Sequence, residues 1–272
     1  MKFLTFITEP YVDLAHNLFL QLQKFDLHHN LIVFCDNQHT FDLFSKKNLK
    51  CDTRVYKPRL NNFNLHTFPL GKQADQQFPG TFHYSKIISL KQDAAYQVLL
   101  EDRNNPYVTI LDVDLIIFDN FVPDLIYYMT YPHKHDKHNI VANFALKYYL
   151  NNNRNPLTNE WRGKKSVVNT GFMCFSNSNS TLRHIEKYYE MITQFVSTTN
   201  TFNIDETMLT HYIENTDIVV VDLPDYINVC SNTSHMYKAE DIEHIKFLTK
   251  TYHVTFVSDK KGFLKATNNW YV

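Results

Sequence analysis

Apolar residues along the chain follow two rhythms. Short unbroken runs alternate with stretches in which apolar positions recur every three or four residues, so strands and helices should alternate. Residues 3–7 (FLTFI) form the first run. Residues 12–25 follow with Val12, Leu14, Ala15, Leu18, Phe19, Leu22 and Phe25 at helical spacing. A second run at 31–35 (LIVFC) ends at Asp36, and a helix near 39–47 and a short strand near 53–56 come next. Residues 57–83 carry Pro58, Pro69, Gly71, Pro79 and Gly80 and read as a long loop. A helix over 84–101 feeds a strand over 107–111. Pro123 opens a short helix, 139–146 and 167–175 read as strands, and 147–166 reads as a polar loop. Helices near 181–196 and from Asp205, a strand at 218–221 and a polar tail complete the pattern. Strand–helix–strand units with short connections predict an α/β fold with a mostly parallel sheet and right-handed crossovers.

Composition narrows the function classes. At 272 residues the chain is expected to form a single unit, 1–272, with an apolar content of 44% that is ample for a core. A net charge of −1 gives no electrostatic case for nucleic acid. The apolar run near the N-terminus is stopped by Glu9 and Pro10, and no run approaches the ~20 residues of a membrane span, so a soluble, cytoplasmic protein is expected. Abundant Phe, Tyr, Asn, Lys and Ile point to an AT-rich genome, such as a large DNA virus or an AT-rich bacterium. Cys35, Cys51, Cys174 and Cys230 are scattered, with no CxxC pair, and read as reduced core thiols. Only five glycines occur, far below the usual ~7%. No GxGxxG and no GxxxxGK[ST] is present, so a nucleotide must be held without a glycine-rich loop.

Candidate chemistry is concentrated in VTILDVDLIIFDN, residues 108–120. Two carboxylates, Asp112 and Asp114, interrupt two apolar runs, which is costly unless something compensates. In an extended segment they would face one way while Val113 stays packed. A divalent cation held by hard oxygens fits, Mn²⁺ or Mg²⁺; acids capping a solvated turn remain the alternative. Asp119 reads as the cap of the helix from Val122. Asn169, Thr170 and Gly171 put one of the rare glycines inside a strand, which marks either close approach of a ligand or a bulge. Asp205 and Glu206 open a helix, where acids suit the macrodipole as well as catalysis. His253 lies in a strand-like run ahead of Lys260, Lys261 and Lys265, as a core histidine or a metal ligand. His133, His135 and His138 fit a solvated loop or zinc.

The order of these pieces resembles the nucleotide-diphospho-sugar transferases, the GT-A fold glycosyltransferases with a DxD motif, and among them the retaining families. The resemblance spans nearly the whole chain and rests on LDVD, VNTGFM, IDE and the terminal His, Lys and NNWY in sequence order. It implies a Rossmann-like central sheet flanked by helices with a small antiparallel acceptor-side subregion. About 1–120 would form the nucleotide-binding half and 121–272 the acceptor and catalytic half. It further implies a metal held by Asp112, Asp114 and His253. The donor would be bound by Thr8, Glu9, Asp36, Lys86, Asp112, Val113, Asn169, Thr170, Gly171 and one or both of Lys260 and Lys261. Asp205 and Glu206 would lie at the anomeric carbon. The implied partners are a nucleotide sugar, with UDP favoured, and a glycan, glycoprotein or glycolipid acceptor. Glu206 departs from the glutamine common at that place, which leaves inversion open beside retention. Rival readings are a HAD-type phosphatase, disfavoured by Leu115-Ile116 after the acids, a nucleotidyltransferase, lacking its glycine-rich loop, and an inactive sugar-binding scaffold.

Overall fold

The computed structural model describes residues 1–60, 82–130, 140–145, 167–198, 206–224, 226–230, 241–254 and 259–272. The chain starts with β1 (Lys2–Ile7), α1 (Val12–Gln23), β2 (Leu31–Cys35), α2 (Gln38–Ser45), β3 (Asp52–Val55) and α3 (Phe82–Glu101). It continues through β4 (Tyr107–Leu111), β5 (Leu115–Ile117), α4 (Val122–Thr130), β6 (Ile140–Ala145), β7 (Val167–Ser176) and α5 (Asn179–Thr198). Then come α6 (Glu206–Glu214), β8 (Val220–Asp222), β9 (Asn228–Cys230), α7 (Ile242–Ile245), β10 (Thr251–His253) and α8 (Lys260–Ala266).

Seven strands make the main sheet in the order β3-β2-β1-β4-β7-β6-β8. β1 pairs in parallel with β2 and β4, and β2 with β3. β7 runs against both of its neighbours, while β6 and β8 are parallel to each other. A smaller sheet, β5-β10-β9, pairs β10 antiparallel to β5 and parallel to β9. The expected α/β class and mostly parallel sheet are observed.

Unbroken apolar runs form these strands because both faces of the sheet are covered. Along β1 and β2, Phe3, Ile7, Leu31, Val33 and Cys35 pack into one core layer with α1, whose stripe of Leu14, Leu18 and Leu22 is buried. The intervening Leu4, Phe6, Ile32 and Phe34 face the opposite layer, filled by Leu90, Ala94, Val98 and Leu99 of α3 and by Ile185, Tyr188 and Tyr189 of α5. Cys35 and Cys174 are buried free thiols and Cys51 a half-buried one. Burial pushes the Cys35 and Cys174 thiols up to about 12.

Three expectations need correction. The stretch 112–114 is a turn, not an extended segment, and Leu115 N donates to Asp112 O at 3.3 Å across it. Asn120, rather than Asp119, satisfies the start of α4: Val122 N donates to Asn120 Oδ1 at 3.0 Å, while Asp119 lies 3.5 Å from Lys250. The polar tail contains α8, capped by Asp259 through Gly262 N at 2.8 Å. His133, His135 and His138 lie outside the described residues.

Candidate active site

The parallel strands β1, β2 and β4 end together, and Asp112 and Asp114 follow β4 at that carboxyl-end edge, where open α/β sheets bind ligands. The turn at 112–114 sends both acids to one side while Val113 packs into the core. Two backbone bonds pin it. Asp112 N donates to Gly171 O at 2.8 Å, and Val254 N donates to Asp114 O at 3.1 Å. The DxD turn is therefore tied at once to β7 and to the end of β10.

His253, the last residue of β10, completes a cluster with Asp112 and Asp114 whose ligating atoms all lie within 4.8 Å of one another. His253 Nε2 is 3.1 Å from Asp114 Oδ1 and 3.6 Å from Asp112 Oδ2. Its other nitrogen, Nδ1, lies 3.0 Å from Asn169 Oδ1. That oxygen also accepts the Gly171 backbone N–H at 3.0 Å, which fixes the amide as an acceptor toward the ring. Nδ1 then carries a proton toward Asn169, and Nε2 is the ring nitrogen that faces the two carboxylates, where a bound cation could take its lone pair. Three electron-pair donors converging on one point suit a divalent cation, with asparagine setting the tautomer of the ligating histidine.

The NTG segment explains how the ring fits. A Cβ on Gly171 would come within 2.0 Å of His253 Cε1. Glycine is thus required by a side chain of the protein itself. The bulge reading is also met: β6 and β7 pair Ala142 with Met173 but Phe144 with Val168, so residues 169–172 are looped out of that ladder. Asn169 and Thr170 are buried beside it.

Two lysines neutralise the acids. Lys91 Nζ, on α3, contacts Asp112 Oδ1 at 2.5 Å, and Lys260 Nζ, at the start of α8, contacts Asp114 Oδ2. Burial opposes ionisation of Asp114, but Lys260 and His253 together outweigh it and hold the carboxyl below its usual range. The Lys260 ammonium is disfavoured by burial and more than restored by Asp114, so its pKa is raised.

Other expected residues fall in different places. Thr8 is buried directly after β1, and Glu9 is exposed 3.6 Å from His39. Asp36 follows β2, but its carboxylate accepts from Thr40 Oγ1 at 2.6 Å and Asn37 Nδ2 at 2.9 Å at the start of α2. Lys261 is exposed and points to Asp13 at 3.1 Å, away from the acids. Lys86 lies in the first half of α3 and Glu206 opens α6, while Asp205 lies outside the described residues.

Lys91 and Tyr11 were not read from the sequence. Lys91 is a buried lysine between Leu90 and Ala94 on the core-facing half of α3, and an ammonium on such a face signals a carboxylate partner. The Tyr11 hydroxyl is pushed up by burial and feels the charges of Lys260, Asp114, Asp112 and Lys91.

No family model and no curated protein matches this sequence. Solved structures do. A galactosyltransferase, LgtC, in complex with donor and acceptor sugar analogues, superposes with a TM-score of 0.56 at 11% identity, over 100% of this chain and 97% of that one. A glycosyltransferase involved in glycosylation of the major capsid of PBCV-1 gives 0.55 at 8% identity, over 98% of each chain. The glycosyltransferase GlyE of Streptococcus pneumoniae TIGR4 gives 0.50 at 13% identity, over 98% of this chain and 59% of that one. The chain therefore has the GT-A fold of the nucleotide-sugar glycosyltransferases.

Proposed function

We propose that this chain is a divalent-cation-dependent glycosyltransferase. It moves a sugar from a nucleoside diphosphate, UDP by preference, to a hydroxyl of a glycan, glycoprotein or glycolipid, with retention at the anomeric carbon. The observation that carries the reading is the convergence of Asp112, Asp114 and His253 at the carboxyl end of β4 in this fold. Residues 1–272 act as one catalytic unit, with the donor held mainly by the first 120 residues.

Asp112, Asp114 and His253 would hold the cation, Mn²⁺ or Mg²⁺, which would supply positive charge to a departing diphosphate. Lys260 already contacts Asp114 and adds positive charge where the leaving group develops negative charge. Lys91 holds Asp112 in place, and Thr8 and Tyr11 border the nucleoside side. The bond from the anomeric carbon to the diphosphate oxygen breaks and one to the acceptor oxygen forms. The acceptor proton leaves with a phosphate oxygen or a carboxylate. Asn169, Thr170 and Gly171 border the donor sugar, and Asp205 and Glu206 are assigned to the oxocarbenium-like centre.

The test is a panel of nucleotide sugars with Mn²⁺, with turnover and product anomer read by NMR. A donor should turn over with retention, and Asp114→Asn should lower turnover by about 10²–10³-fold. No binding or turnover of any donor would refute the transferase reading. An inverted product would refute retention and direct attention to Asp205 or Glu206 as base.

A further inference from the structure

Away from this site, the connection between α1 and β2 gathers a second set of ligating atoms. Asp26, His28 and His29 place one carboxylate oxygen and two imidazole nitrogens within 4.8 Å of one another. Asp26 Oδ1 lies 3.3 Å from His29 Nε2 and 4.0 Å from His28 Nδ1. Bonds of about 2.0–2.2 Å to a tetrahedral zinc put neighbouring ligand atoms roughly 3.3–3.5 Å apart. Of the three edges among these atoms, Asp26–His29 already matches, Asp26–His28 is about half an ångström too long, and His28–His29 lies within 4.8 Å.

Two further observations point to a cation. His28 is 8% exposed, and its Nδ1 is buried with no hydrogen-bond partner. Buried polar atoms are nearly always paired, so an orphan aimed at a carboxylate calls for an explanation. The His28 and His29 rings lie against each other with centroids 3.7 Å apart, tilted by 41°, and His28 meets Phe19 edge-on, so the nitrogen cannot swing freely to water. Asp26 also sits at the wrong end of a helix. It follows α1 with φ 57, and its N–H donates to Gln23 O at 3.1 Å while Leu27 N donates to Leu22 O at 3.0 Å. This is the helix-ending position that glycine favours. A negative charge at a helix C-terminus is unfavourable unless a cation answers it.

We infer that Asp26, His28 and His29 form a second metal site, selective for a borderline transition cation such as Zn²⁺. Two imidazoles and one carboxylate favour zinc over the hard cations that suit the DxD turn. The site lies before β2, at the amino ends of the parallel strands, whereas the DxD turn follows β4 at their carboxyl ends. A metal there cannot touch a donor bound at the DxD turn. It would clamp the end of α1 to the start of β2, and it stands whether or not the transferase reading does.

The experiment is a Zn²⁺ titration of chelator-treated, full-length protein by calorimetry, with melting followed in parallel. Asp114→Asn removes a ligand from the first centre, and Asp26→Gly removes one from the second. Asp26→Gly suits the left-handed backbone, so it cannot abolish binding by unfolding the chain. The Asp114→Asn protein should still bind one Zn²⁺ in the micromolar range (about 1 μM) or tighter and melt several degrees higher with it. Adding Asp26→Gly or His29→Ala should abolish both effects. Retention of that zinc in the double variants, or its absence from Asp114→Asn, would overturn the assignment.

Discussion

Gly171 lacks a side chain because the His253 ring occupies the place a Cβ would take. Gly171→Ala must displace the ring, its bond to Asn169, or β7. Metal affinity should fall by about 10–100-fold, the usual cost of disturbing a ligand's support, as read by titration with Mn²⁺. Unchanged affinity would show that the ring has room to move. Lys260 and Lys261 give a second contrast. Lys260→Ala removes the cation in contact with buried Asp114 and should cut turnover by about 10²-fold. Lys261→Ala removes an exposed ammonium shared between Asp13 and the face of Trp270 and should leave turnover nearly unchanged. Equal losses would refute the division. The candidate residues Asp112, Asp114, Gly171 and His253 could be found from sequence because each breaks a local rule: acids or a glycine inside apolar runs, a histidine in a strand. Lys91 breaks the same rule, as a lysine on the buried half of α3, whereas Lys86 rests on the family resemblance alone.

Elements were legible where an apolar run or stripe was buried by its neighbours, as in β1, β2, β4 and α1. They were illegible where long-range partners decide. β5 and β9 are three residues each and exist through pairing with β10. On α1, Asn17 and Gln21 read as polar interruptions, yet both are fully buried. Asn17 clasps the C-terminal tail, donating to Asn269 O at 3.0 Å and accepting from Tyr271 N at 2.7 Å. Gln21 does the same for β5: Nε2 donates to Leu115 O at 2.9 Å and Oε1 accepts from Ile117 N at 2.8 Å. Gln21→Leu keeps the size and leaves two buried backbone groups unpaired. It should cost about 2–4 kcal/mol, seen as a lower urea midpoint at unchanged slope. A loss below about 0.5 kcal/mol would mean that water replaces the clasp. On α3, buried Asp93 accepts from Tyr56 Oη, from Arg59 N at 3.0 Å and from Leu60 N at 3.3 Å. Asp93→Asn should loosen this anchor and speed tryptic cleavage after Arg59. An unchanged cleavage rate would show that the anchor is dispensable.

Across the whole molecule, the same burial that makes the sheet legible governs its response to acid. His16, His28 and His184 all have pKa values lowered from 6.5, with burial the leading cause in each. For His184, Asp217 opposes the shift, while Lys187 and Arg183 reinforce it, and the ring nitrogen Nδ1 is held 2.9 Å from Tyr212 Oη. A histidine with a lowered folded pKa binds fewer protons in the native state than in the unfolded one. Stability then rises with pH below 6.5 and levels off above it. Asp114, held low, adds nothing in this window, because its carboxyl is ionised in both states there. The metal-free protein should therefore melt at a lower temperature at about pH 5.5 than at about pH 7.5. His184→Gln, which keeps a hydrogen-bonding group toward Tyr212 but cannot take up the proton, should flatten part of that slope. A melting temperature independent of pH across this range would show that the three rings accept protons as readily in the folded chain as in the unfolded one.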